Sequence, residues 1–146
     1  MIDSAKNFAR CTVLQGYNNL AFEIELESGE GAKLPDTTTG QPFSLVWWNS
    51  EYDSPLDDPD KEIVRCTARS GDSLTLENDG LKRTAQEGTT AVAHNEIGKT
   101  YYLSLVLTAG MISDIQAELD LKQNLITVSD TPPGSPVVGQ LWYDTN

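Results

Sequence analysis

Leu20-Ala21-Phe22-Glu23-Ile24-Glu25-Leu26 decides the fold class of this 146-residue chain. Apolar Leu20, Phe22, Ile24 and Leu26 alternate with Ala21, Glu23 and Glu25, and a period of two marks a strand with one buried and one wet face. Just upstream, Cys11-Thr12-Val13-Leu14 reads as a short strand. Gln15-Gly16-Tyr17-Asn18-Asn19 supplies turn chemistry between the two, so the pair predicts a hairpin.

Further along, Phe43-Ser44-Leu45-Val46-Trp47-Trp48 is a run of aromatic and branched residues typical of strands. Glu62–Ala68 and Ser73–Glu77 flank the turn Arg69-Ser70-Gly71-Asp72 and predict a second hairpin. Lys99–Leu107 is the last strand, with Tyr101, Leu103, Leu105 and Leu107 on one face. Loops rich in Gly, Pro, Thr and Asp separate these segments, at Ser28–Gln41 and Asn49–Asp60. About six strands with short connections predict a mainly β protein, a small antiparallel sandwich or barrel.

After Thr108 the period changes. Met111, Ile112, Ile115, Leu119, Leu125 and Ile126 are apolar among polar residues, and Ile112, Ile115 and Leu119 have the 3-4 spacing of a coiled-coil seam. Thr108 is suited to cap such a helix, while Lys122 stands where the next seam residue belongs. This stripe has two uses: packing on its own domain, or meeting copies of itself. Ser129-Asp130-Thr131-Pro132-Pro133-Gly134-Ser135-Pro136 reads as a stiff extended linker. The resulting division is a β domain over 1–108, a short C-terminal helix over 109–126 and an extended Pro-rich segment over 127–146. The ending just past Leu141-Trp142-Tyr143 reads as a cut through a longer polypeptide.

Composition narrows the function classes. There are 22 acidic and 10 basic residues, a formal charge of −12. Such a surface repels nucleic acid and anionic membranes, and no stretch approaches the ~20 apolar residues that span a bilayer. The first residues lack the apolar run of a secretory signal, so synthesis in a cytoplasm is expected. Cys11 and Cys66 lie in strand-like runs without metal-ligand spacing, and the sequence has one histidine, His94. No phosphate-binding glycine motif occurs. The acidic loop Glu51–Asp60 lacks the calcium-loop spacing and reads as solvated. The expectation is a chain that is not an enzyme and takes no cofactor or metal. Adjacent Trp47 and Trp48 face opposite ways, one into the core; the other, with Trp142, is a candidate partner surface or sugar platform.

Several segments resemble a module of tailed-bacteriophage virion proteins. Phe43–Trp48 and its Pro/Asp loop lead into Glu62-Ile63-Val64-Arg65-Cys66-Thr67-Ala68. Arg83-Thr84-Ala85-Gln86-Glu87-Gly88-Thr89-Thr90 and His94-Asn95-Glu96-Ile97-Gly98-Lys99-Thr100-Tyr101 follow in the same order as in that module, although Glu77–Lys82 lengthens the passage before them. Asp120-Leu121-Lys122-Gln123-Asn124 and Thr131–Thr145 are similar to phage-fibre segments. The resemblance implies a tail- or head-fibre component, an N-terminal module anchoring a fibre to the virion and trimerising through the helix. Its partners would be itself and other virion proteins of the tail, collar, baseplate or capsid, assembled in the bacterial host cytoplasm. A decoration, collar or baseplate adaptor protein, and a carbohydrate-binding receptor module, are the alternative readings.

Overall fold

The computed structural model describes residues 9–37, 41–123, 126–128, 138 and 141–143. Six antiparallel strands form the sheet: β1 (Arg10–Thr12), β2 (Glu23–Glu25), β3 (Phe43–Asn49), β4 (Glu62–Ser70), β5 (Ser73–Leu76) and β6 (Tyr101–Leu105). Their spatial order is β1-β6-β3-β4-β5-β2. The sheet curls into a half-barrel until its two edges meet. Val13 bridges Leu26, the Leu14 amide donates to the Glu25 carbonyl, and the Glu27 amide donates to the Thr12 carbonyl, both at 2.9 Å. The hairpin expected from β1 and β2 is thus the seam that joins the sheet's opposite edges.

The strand pattern dictates the core. Phe43, Leu45 and Trp47 of β3 join Ile24, Val64, Leu74, Leu76 and Leu103 inside. Burying one such side chain contributes roughly 1.5–3 kcal/mol, so this cluster is the main source of cohesion. Ser44, Val46 and Trp48, on the other face of β3, are also buried, as suits a strand in the middle of the sheet. Cys11 and Cys66 are free, fully buried thiols; burial pushes them up to about 11 and about 12 respectively.

Two expected strand faces are shorter than their periodicity. Leu20 is exposed because the Asn18 side chain accepts the Leu20 and Ala21 amides, folding the chain into a turn before β2 begins. Leu107 is exposed because β6 ends at Leu105.

The β2–β3 connection is fastened at one end of the half-barrel. A short 3₁₀ helix, Glu30–Lys33, lies against the β4–β5 turn, where Asp72 Oδ2 and Oδ1 accept the Gly29 and Gly31 amides at 2.9 and 2.8 Å. Only glycine fits at position 31, since a Cβ there would stand 2.0 Å from the Gly71 carbonyl oxygen.

Strand direction sorts the other connections. β1, β3 and β5 end, and β2, β4 and β6 begin, at one end of the half-barrel. Three connections, 13–22, 50–61 and 77–100, therefore gather at that loop end, while the 26–42 connection runs at the other. The chain leaves the β unit from the other end, past Leu105.

The chain divides into two compact units between Ala109 and Gly110. Helix α1 spans Ala109–Gln123, beginning at the residue after Thr108. The helix does not reach residue 126. Ile126 instead belongs to a short strand, β7 (Ile126–Val128), paired in parallel with β8 (Leu141–Tyr143). The run Ile126-Thr127-Val128 is β-branched throughout, which favours strand over helix. Part of the segment expected to be an extended linker is therefore paired strand. Leu125 and the proline run lie outside the described residues. No helix among the described residues is long and apolar enough to cross a membrane.

Candidate functional site

Two places on the chain concentrate chemistry: a buried polar cluster at the loop end, and the apolar stripe of α1.

Cross-strand pairing starts the cluster, since Trp47 of β3 lies opposite Glu62 of β4. Arg83 arrives on the long 77–100 connection and His94 on the same connection, where it forms a two-way backbone bridge with Tyr17. Trp47, Glu62, Arg83 and His94 are each buried, with at most 1% of the residue exposed. Arg83 Nε donates to Glu62 Oε1 at 2.8 Å, and Nη2 to Oε2 at 2.9 Å, a bidentate pair. Arg83 Nη1 also donates to the Asn18 and Ala21 carbonyls, and Nη2 to the Val92 carbonyl. All five guanidinium hydrogens are thereby placed, which a buried cation requires.

Glu62 is equally well held. Its Oε2 also accepts the Val92 amide at 3.2 Å and lies 3.3 Å from His94 Nε2. That approach is close enough for an ion pair but poorly aligned as a hydrogen bond, and His94 Nε2 makes no aligned bond. Burial pushes the Glu62 carboxyl up, but His94, the Arg83 guanidinium and the Val92 amide outweigh it and hold the group below the usual carboxylate range. Rings enclose the charges. His94 stacks on Trp47 with centroids 4.4 Å apart, Tyr101 meets His94 edge-on at 5.3 Å, and the Arg83 guanidinium carbon lies 4.8 Å from the Trp47 ring centre.

Chemically this arrangement is a lock. Each carboxylate oxygen and each guanidinium hydrogen is engaged by another part of the chain. Four separate segments of the chain contribute to it: Trp47 from Phe43–Trp48, Glu62 from Glu62–Ala68, Arg83 from Arg83–Thr90, and His94 with Tyr101 from His94–Tyr101. Sequence reasoning passed over Glu62 and Arg83 because charged residues near strand ends look solvated. The available signal was that three successive motifs each held one group able to complement the others.

The remaining candidates are placed as follows. Trp47 is sealed in the lock. Trp48 is 4% exposed, donates to Ser104 Oγ at 3.3 Å and meets Tyr102 edge-on, so neither ring offers an open stacking face. Trp142 lies in β8, opposite Thr127. In the acidic loop, Asp58 is buried and accepts the Asn49 and Asp60 amides at 2.7 and 2.8 Å, stapling the loop's own backbone. Among the described residues no three His, Cys, Asp or Glu side chains are placed to share a metal ion.

On α1, Ile112, Ile115 and Leu119 are 55%, 45% and 48% exposed, whereas Met111 is buried. Asp114, Glu118 and Asp120 stand off this stripe, and Gln116 donates to Asp120 one turn on at 2.8 Å. Leu121 is exposed away from the stripe.

The chain matches no family model and no curated protein.

Proposed function

We propose that this chain is a structural, non-catalytic assembly module of a tailed-phage particle, a fibre or fibre anchor. Its β unit docks on the particle, and its helix gathers three copies. The observation that carries the reading is the exposed stripe Ile112–Ile115–Leu119. Three branched side chains at seam spacing stand half in water on a helix too short to be stable by propensity alone. The acids of the helix lie off the seam, so parallel copies bring apolar faces together without stacking carboxylates at the centre. The phage component of the reading is supported by the four resembling segments and by their meeting in one buried lock.

Burying the exposed half of each stripe residue contributes about 1 kcal/mol, so association through one short seam is weak. Simultaneous docking of the β units raises the effective concentration of the helices and makes a weak seam sufficient. Light scattering on the whole chain tests the association. The expected mass is that of a trimer at high protein concentration, and that of a monomer for Ile112→Ser/Ile115→Ser/Leu119→Ser with unchanged β-sheet circular dichroism. A wild-type chain that stays monomeric, or a variant of unchanged mass, would sink the claim.

A further inference from the structure

The exposed apolar side chains of the β unit are not scattered. Leu20, Tyr52, Leu56, Leu81 and Ile97 all lie in the three connections at the loop end. Among the described residues before the helix, the large exposed hydrophobics elsewhere are Leu14, whose amide is bonded to Glu25 at the seam, and Leu107. Isolated exposed leucines are ordinary, but their segregation to one end of a molecule marks a surface that other molecules cover.

Four of these side chains are mounted on ordered turns. Leu20 follows the turn made by the Asn18 side chain, and the Leu56 amide donates to Ser54 Oγ at 3.1 Å. The Leu81 amide donates to Asp79 Oδ1 at 3.0 Å, and Ile97 sits in the turn closed by the Lys99 amide on the Glu96 carbonyl. The connections themselves are tied together. Arg83 and Leu20 share a backbone hydrogen bond, Ser50 and Thr100 another, and Lys99 pairs with Glu51. Beneath them the Glu62–Arg83 lock holds the 13–22 and 77–100 connections to β4. The loop end is therefore a preorganised surface, which lowers the ordering cost of binding.

Charge selects the occupant. The three connections carry nine carboxylates against Lys61, Lys82 and Lys99, apart from Arg83, which is committed to Glu62. Two such ends repel one another, and so does any anionic surface. We infer that the loop end is a docking face for a protein surface rich in Lys and Arg, with apolar recesses that receive Leu56, Leu81, Leu20 and Ile97. This inference rests on the assembly reading, for which it names the face of the β unit that meets the partner.

The test uses the whole chain and an array of short peptides in which Lys/Arg content and Leu/Phe content vary independently. Binding is expected only to peptides rich in both, weakening about tenfold or more between roughly 50 and 500 mM salt. Leu56→Ser/Leu81→Ser should weaken that binding about tenfold with the melting temperature unchanged, and Ile112→Ser/Ile115→Ser should leave it intact. Absent binding, equal binding to acidic peptides, or binding indifferent to Leu56→Ser/Leu81→Ser overturns the inference. Self-association abolished by Leu56→Ser/Leu81→Ser also overturns it, by making a second copy the occupant. Helix association measured on the same samples separates the two claims. A loop-end failure with the trimer intact removes this inference alone, and a lost trimer with intact peptide binding removes the helix seam alone.

Discussion

Glu62 and Arg83 illustrate how a buried charge is made tolerable. A lone ion pair in a protein interior rarely repays its desolvation, whereas removing one partner strands the other. Glu62→Ala should therefore cost about 3–5 kcal/mol in urea unfolding, from the uncompensated guanidinium it leaves. The apolar double replacement Glu62→Leu/Arg83→Met should recover only part of that loss. Arg83 also satisfies the Asn18, Ala21 and Val92 carbonyls, and Glu62 the Val92 amide, and these groups would remain buried and unpaired. Complete recovery would show that the pair is not coupled to the loops.

The same carboxylate gives stability a pH dependence of definite sign. Glu62 is held below its ordinary range in the folded chain, so the unfolded chain binds its proton first as pH falls. The lock's contribution is complete above the unfolded glutamate value of about 4.3 and is lost as pH drops through the lower folded value. Urea midpoints should fall below about pH 4 in the wild type, and the fall should be smaller in Glu62→Gln. Equal pH slopes for the two proteins would remove Glu62 as the cause.

Among the elements, all six strands of the sheet are legible in the sequence because each carries its own alternation or aromatic run. Their arrangement is less so. Cys11–Leu14 and Leu20–Leu26 read as a hairpin from local turn chemistry, yet the two strands occupy opposite edges of the sheet, and only its curl brings Val13 to Leu26. The helix is legible up to Gln123; Ile126 continues the apolar spacing but belongs to β7, where β-branching outweighs periodicity. The buried lock is the least legible part, since Trp47, Glu62, Arg83 and His94 become neighbours only through long-range pairing. The 3₁₀ helix adds an element-scale expectation. Gly31→Ala places a methyl group against the Gly71 carbonyl and must push the helix off the β4–β5 turn, breaking its hold on Asp72. The expected destabilisation is about 1–3 kcal/mol, read from thermal melts, and a neutral substitution would show that the 3₁₀ segment shifts freely.

Taken whole, the β unit has two unlike ends. One bears three long connections, most of the exposed leucines and a dense acidic charge; the other bears the clamped 3₁₀ helix and the point where the chain departs toward α1. The proposed attachment at the first end and the proposed association through the helix would make separate demands on the sequence. The lock lets the loop-end surface be stiff without adding strands, because one guanidinium holds carbonyls from two connections.

The pairing of β1 with β6 sets a timetable for a chain growing on a ribosome. Arg10–Thr12 emerges early, but the strand it must lie beside, Tyr101–Leu105, is translated last of the six. At about 5–20 residues per second, β1 waits on the order of 5–20 s for its partner. A waiting edge invites wrong pairings, and at three residues β1 offers little for a neighbour to grip. Closure then comes late and over a long span of chain, the kind of contact that folds slowly. The helix is made after the closing strand, so each copy has everything it needs to close its own half-barrel before it exposes the stripe by which it would meet another.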